Sequence, residues 1–323
     1  MLVHGPNEKP GASAGVLTVV WLTMWFLCPM QSHAGQWPVG KPSRICKAPH
    51  LAKTVSVDNV VFRSFKNDAS GEACLQVIQA GKLLFQITNS NDGDFTLGQQ
   101  ASGDGTVVRI ADGADITGRG YPDMVVSQWT GGAHCCRVDY VFELRPKVRM
   151  LAKLEARDAD ESHFADVDGN GHYYYVSADF TFAYWWQSFA GSPTHSVVLR
   201  FVNDGTGGSY HLALDKMRRP SPTESEWAAS LARVKDELEL NDSNMANDLP
   251  DVLWQEVLNL IYTGHADLAW KFLTQVGPKA QQGAFPDLSS FCSTLKTSNY
   301  WEDLRVTMQK APPSCLNAKP SRK

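Results

Sequence analysis

The apolar positions change their spacing twice along the chain. From Val16 to Leu27 (VLTVVWLTMWFL) they form one unbroken run. From about Thr54 to Leu214 they come in short or alternating stretches broken by Gly, Asn and Asp, and beyond Arg218-Arg219-Pro220 they recur at helical spacing. The first run is too short to cross a bilayer. Pro29 follows it, and Ser32-His33-Ala34 places small residues where a signal peptidase reads. This predicts an export signal over residues 1–34, cut after Ala34, and a periplasmic or secreted mature chain. No later segment is apolar enough to span a membrane, so no stable membrane span is expected after cleavage.

The stretches Thr54–Phe65, Ala73–Gln79, Lys82–Thr88, Asp123–Trp129, Cys135–Leu144, Val148–Leu154, His172–Phe180, Ser196–Val202 and Tyr210–Leu214 read as strands. No helical period falls between them, which excludes a parallel sheet with crossover helices. The expected fold is mainly β: an antiparallel sandwich or propeller-like domain over residues 35–217. That segment is too short for six or seven blades at roughly 40–45 residues each.

The remainder, 218–323, predicts a small α-helical bundle domain. Ser221-Pro222-Thr223-Glu224 reads as an N-cap, a Pro at the first helical position and a capping-box Glu. Trp227, Leu231, Val234 and Leu238 then share one helix face. Asp251–Tyr262 and Asp267–Val276 form an αα-hairpin, with Gly264 at the C-cap of the first helix and Gly277-Pro278 ending the second. Leu288–Lys296 and Trp301–Met308 complete the set.

Charge narrows the partners. With 30 basic and 34 acidic residues, the net charge is −4, which argues against nucleic acid, whose binders carry a basic surface. Export places the cysteines under oxidising conditions. Cys46 and Cys74 flank the first strands, and Cys292 and Cys315 lie in the last helical stretch, so each pair is expected to bridge locally. That leaves the neighbours Cys135 and Cys136. Adjacent Cα atoms lie ~3.8 Å apart, below the usual disulfide range of roughly 4.4–6.8 Å. A vicinal bridge there would be strained and reducible, a platform under a ligand or a redox switch; the alternative turns the two side chains to opposite faces of a strand.

Two loops have the makings of ion sites. Asp166-Val167-Asp168-Gly169-Asn170-Gly171 sets oxygen side chains at alternate positions, with glycines for the sharp turn and the His172 carbonyl next in line, the pattern that wraps calcium. Tyr174 stands where a further carboxylate is wanted, so affinity would be low. Asp115-Ile116-Thr117-Gly118-Arg119-Gly120-Tyr121-Pro122-Asp123 keeps its terminal carboxylates, but Arg119 brings a positive charge able to pair Asp115 or Asp123 in place of a metal.

The strings DITGRGYPDMVVSQWTGGAHCC, FADVDGNG and DFTFAYWWQSFAGSP resemble a family of exported bacterial proteins related to FG-GAP and VCBS repeat proteins. Asp115, Thr117, Gly118, Gly120, Pro122, Asp123, Gly131, Gly132, His134, Cys135 and Cys136 match its pattern. Arg119 and Tyr174 depart from it, each standing at or near a position usually acidic, which weakens metal binding further. The resemblance spans about residues 85 to 200 and implies a β-rich, loop-bearing exported module without an assigned activity.

Phe180, Phe182 and Tyr184 alternate, which assigns them to one strand face in the core; Trp185 and Trp186 cannot both follow them on a strand, leaving one free. An exposed Trp beside the Gly131-to-Cys136 turn could stack on a sugar or receive a peptide. The binding surface expected is therefore Trp129, Gly131, Gly132, His134, Cys135, Cys136, Trp185 and Trp186, its partner a protein or glycan in the envelope or outside the cell. Two other readings stand beside this one: a secreted hydrolase pairing Asp123 with His134 or His195, and a redox-responsive protein switching at Cys135–Cys136. No H-E-x-x-H, P-loop or C-x-x-C motif occurs.

Overall fold

The computed structural model describes residues 45–90, 92–98, 110–131, 137–159, 161–186, 188–205, 207–244, 251–276, 288–308, 310–312 and 315–316. The expected leader and residues 132–136, with the adjacent Cys135 and Cys136, lie outside them.

Twelve named strands form three four-stranded antiparallel sheets, each a run of consecutive strands. The first holds β1 (Leu51–Val57), β2 (Val60–Asn67), β3 (Glu72–Gln79) and β4 (Lys82–Asn89). The second holds β5 (Asp94–Leu97), β6 (Asp123–Trp129), β7 (Arg137–Glu143) and β8 (Arg149–Arg157). The third holds β9 (His163–Ala165), β10 (Tyr174–Asp179), β11 (His195–Val202) and β12 (Ser209–Leu212). Thr54–Phe65, read as one run, is a hairpin turning at Asp58 and Asn59. Asp58 has a φ of 53°, the left-handed conformation that Asp and Asn tolerate at tight turns.

Alternation along β6 and β7 explains why the middle sheet is buried on both faces. Met124, Val126, Val138, Tyr140 and Phe142 meet Phe62, Leu75, Val77 and Phe85 of the first sheet. Val125 and Val141 face the other way and join Tyr175, Val197 and Leu199 of the third. Strands covered on both sides read as near-continuous apolar runs, as Met124-Val125-Val126 does. β1, by contrast, is an edge strand with its first four residues exposed, and Lys53 donates to the Leu97 carbonyl at 3.3 Å.

The helices are α1 (Leu214–Met217), α2 (Glu224–Asn244), α3 (Asp251–Tyr262), α4 (Ala266–Val276), α5 (Leu288–Leu295) and α6 (Trp301–Leu304). Leu214, expected to end a strand, opens α1 instead. The cap of α2 falls two residues later than the Ser-Pro pair implied: Thr223 Oγ1 accepts from the Glu226 amide at 3.3 Å, and Glu226 reaches back to the Thr223 amide at 2.8 Å. That reciprocal pair is a capping box. The helices share one apolar core with the third sheet, in which Val197, Leu199 and Leu212 pack with Leu253, Trp254, Val257, Ile261 and Phe272.

Both expected local disulfides are present. Cys46–Cys74 pins the segment before β1 to β3, with Cα atoms 5.6 Å apart. Cys292–Cys315 ties the end of the chain to α5, at 4.8 Å. Among the described residues no helix is long and apolar enough to cross a membrane.

Candidate functional site

Strand direction sorts the loops onto two ends of the sheets. β6 begins at Asp123 and pairs there with the end of β7 at Glu143. The 115–123 loop therefore lies at one end, together with the 166–172 loop before β10 and the 203–208 loop after β11. Contacts bear this out: Arg119 donates to the Gly207 carbonyl at 3.1 Å, and the His172 ring lies against Gly118.

The two suspected ion loops share a backbone plan. Asp115 accepts the Arg119 and Gly120 amides at 2.9 and 2.7 Å; Asp166 accepts the Asn170 and Gly171 amides at 3.0 and 2.8 Å. In each, the two glycines have φ near 70–80°: Gly118 at 68° and Gly120 at 79°, Gly169 at 66° and Gly171 at 83°. Four hydrogen bonds from the loop amides hold the exposed Asp166 carboxyl below its usual range, the Gly171 amide contributing most.

Positive charge at both loops comes from the protein itself. Lys216 Nζ lies 2.6 Å from Asp168 Oδ1, and the Tyr174 hydroxyl donates to Asp168 Oδ2 at 2.9 Å. Asn170 Oδ1 accepts the His172 amide at 2.9 Å. In the other loop the Arg119 guanidinium turns to Glu143 at 3.1 Å. Asp123, expected as a closing ligand, is fully buried. Its Oδ2 accepts the Ile116 and Thr117 amides and the Thr117 hydroxyl at 2.9–3.0 Å. Asp123 Oδ1 has no hydrogen-bond partner among the described residues, and Asp123 lines a cavity of about 10 Å³ with Ile110, Ile116 and Met124. Burial pushes the Asp123 pKa up to about 7, against the lowering effect of the Thr117 hydrogen bonds. Most carboxylate oxygens of the two loops thus accept hydrogen bonds from the protein itself, and among the described residues no group of three or more His, Cys, Asp or Glu is placed to hold a metal.

The opposite end carries the aromatic residues. Trp129 pairs with Arg137, and Arg137 with Arg157; Arg157 Nη1 donates to the Phe180 carbonyl at 3.0 Å. Trp129, the start of β7 and the connection from β10 to β11 therefore share this end. Trp129 is 42% exposed.

Residues 180–186 are turns, not strand, so the alternation read from the sequence does not govern them. Phe182 is buried, but Tyr184 is 59% exposed and Trp186 62% exposed. Trp185 between them points inward, edge-on to Phe182 at 5.0 Å and to Trp254 at 5.7 Å. Tyr184 and Trp186 have φ of 58° and 62°, a left-handed backbone unusual for bulky side chains. Such strain persists only where surrounding structure imposes it. Here the Trp185 anchor and the hydrogen bond from the Tyr184 amide to Ser192 Oγ, at 2.8 Å, do so. Behind the exposed rings, Phe180 and Phe189 stack at 5.7 Å with planes 7° apart, and Tyr184 leans on Phe189 at 5.6 Å. Of the expected surface, Trp129 and Trp186 are exposed, Trp185 is an anchor, and Gly131 has a φ of 83°. Tyr184 was missed, because left-handed backbone at an aromatic residue leaves no mark in the sequence.

The structure does not bring Asp123 and His195 together, and His134 lies outside the described residues. Asp123 opens β6 at the loop end, whereas His195 opens β11 at the aromatic end. There His195 stacks on Tyr262 at 4.8 Å, with its ring nitrogens against Ser196 O at 2.6 Å and Asn259 Oδ1 at 3.3 Å. Burial holds its pKa below the ordinary histidine value. Opposite it on β10, Asp179 accepts from the Thr181 amide and hydroxyl at 2.8 and 2.5 Å, from Ser298 Oγ at 2.7 Å and from the Tyr262 hydroxyl. A buried carboxylate with four donors is fully satisfied, and this one ties the third sheet to α3 and to the turn after α5. Between the second and third sheets, Asp139 accepts from Ser127, Arg137 and, at 2.7 Å, the Tyr175 hydroxyl.

No protein-family model matches this chain, and neither do the curated proteins or the solved structures compared with it.

Proposed function

We propose that the protein is an exported binding module whose ligand seats on the aromatic end, at Tyr184 and Trp186 with Trp129 nearby. The observation that carries this is the pair of large aromatic side chains turned into solvent by a left-handed backbone around Trp185, which packs half-buried against the core. Folding alone gains nothing from that arrangement: it leaves apolar area in water and takes up backbone strain. Preorganised rings lower the ordering cost of binding, and exposed apolar patches of this kind mark interaction sites.

Export rests on the leader pattern and is supported by the two disulfides, which persist in oxidising compartments. The three consecutive four-stranded meanders favour a propeller-like reading over a sandwich, since such a meander is the unit of a propeller blade; three are fewer than a closed ring uses, and the helices would take the remaining place. In that reading the sheets are a scaffold and the connections at their ends carry the function.

Cosedimentation of the intact mature chain with isolated cell envelopes tests the binding face. Wild type should pellet, and Trp186→Ala and Tyr184→Ala should each weaken pelleting at least tenfold while melting as wild type does. Equal pelleting of all three proteins would remove the aromatic end from the reading.

A further inference from the structure

Resting on that binding face, we propose that its ligand is an uncharged glycan. From Phe180 to Thr194 the sequence FTFAYWWQSFAGSPT contains no Asp, Glu, Lys, Arg or His, and no Leu, Ile, Val or Met. The segment itself thus offers aromatic rings, hydroxyls, one amide and backbone, and the neighbouring Arg157 guanidinium is already engaged with the Phe180 carbonyl at 3.0 Å. Protein-binding patches combine their aromatic residues with Met and Arg, both missing here. A polyanion would call for a cation, and an acidic face would favour a basic ligand; this segment supplies neither.

Its geometry fits a sugar chain as well. The C–H face of a pyranose is flat, weakly positive at its hydrogens and uncharged overall, and it packs on the negative face of an aromatic ring. Tyr184 leans on Phe189 at a tilt of 47°, and Phe189 stacks on Phe180 at 7°, so the Tyr184 ring is held from one side while more than half of it stays exposed. Trp186 stacks on no other ring among the described residues. The Trp185 anchor, packed on Trp254 and Phe291, sits between the two exposed rings and fixes their spacing before any ligand arrives. Ser188 is exposed beside them, a hydroxyl within the same turn able to exchange hydrogen bonds with sugar hydroxyls. Two rings two residues apart suit consecutive sugar units along a chain better than one isolated sugar.

The test is native affinity electrophoresis of the intact chain in gels containing hydroxyethylcellulose, mixed-linkage β-glucan, galactomannan or dextran, with alginate and heparin as charged comparators. At least one neutral polysaccharide should retard the wild type, and Trp186→Ala and Tyr184→Ala should each raise the apparent Kd at least tenfold, with unchanged melting temperatures. Retardation by none of the neutral polymers, by the polyanions alone, or equally in the variants overturns the glycan. Envelope binding separates this failure from failure of the binding face. If pelleting depends on Trp186 yet is abolished by protease treatment of the envelopes and indifferent to the neutral polymers, the ligand is a protein and the glycan falls while the face stands. If pelleting does not depend on Trp186 or Tyr184, the face falls with it.

Discussion

At Trp186 and Tyr184, stability and binding make opposite demands on one side chain. An L-residue in the left-handed region costs roughly 1–2 kcal/mol, whereas glycine adopts it freely. Trp186→Gly removes that strain together with a ring that is mostly in water. The variant should therefore unfold at the same denaturant concentration as wild type or a higher one, by up to ~1 kcal/mol, while losing the ligand; a clear loss of stability would mean the ring is a packing element after all. Asp123 makes a different single-residue prediction. Its pKa of about 7 in the fold, against 3.8 for a free Asp, means the folded state holds a proton that the unfolded chain releases. The associated stabilisation is fully present below pH 4 and disappears as pH rises through 7. Ionising Asp123 inside the fold costs roughly 4 kcal/mol more than in the unfolded chain. Asp123→Asn keeps an oxygen for the Ile116 and Thr117 donors and cannot ionise. Melting curves between pH 5 and 8 should fall with pH in wild type and flatten in the variant; parallel curves would show that Asp123 is already charged.

Among the elements, the 166–172 loop is closed by a side-chain cation, whereas Arg119 of the 115–123 loop turns away to Glu143, and the behaviour of the first loop toward calcium follows. Lys216 on α1 supplies the positive charge at Asp168, so melting in millimolar calcium and in EDTA should coincide for wild type; a calcium-dependent rise would show that an ion displaces Lys216 and binds the native loop. At α2, Thr223→Ala removes the hydroxyl of the capping box and should cost ~1 kcal/mol, read as a lowered midpoint in denaturant. The same elements show what the sequence discloses. Asp251–Tyr262 was bounded to the residue, because an apolar face at helical spacing and a closing Gly264 are both written locally. β5 and β9 were missed because four and three residues are too few to display a period. The cap of α2 was misplaced by two residues: Pro222 is a strong local signal, but the reciprocal Thr223–Glu226 bonds decide. The two disulfides followed from position along the chain. The aromatic turn was read as strand because Phe180, Phe182 and Tyr184 alternate, and only packing of Trp185 on Trp254, more than sixty residues away, overrides that pattern.

Across the whole molecule, the decisive question is whether strands and helices stand apart. The change of pattern near residue 218 separates a β half from a helical half in the sequence. In the structure, Val197, Leu199 and Leu212 of the third sheet are buried with Leu253, Trp254, Val257, Ile261 and Phe291 of the helices. Asp179 draws two of its donors, Tyr262 and Ser298, from the helical side. Ending the chain after Met217 would expose that apolar face and leave a buried carboxylate short of two hydrogen bonds, each unmet bond costing about 1–3 kcal/mol. The shortened chain should therefore aggregate or lack a sharp unfolding transition, while the full chain melts in one step by tryptophan fluorescence and by far-ultraviolet circular dichroism. Tyr262→Phe is the milder probe: it deletes one donor to Asp179 without removing the ring on which His195 stacks, and should lower stability by about 1–3 kcal/mol, with both spectroscopic signals moving together. A truncated chain that unfolds cooperatively, or a Tyr262→Phe variant whose two signals separate, would show that the halves fold independently. The aromatic end depends on the answer, because Trp185 reaches the helical core at Trp254 and Phe291: if the halves fold as one, Trp254→Ala should disturb the Tyr184 and Trp186 surface from within the helices and weaken ligand binding without touching either exposed ring.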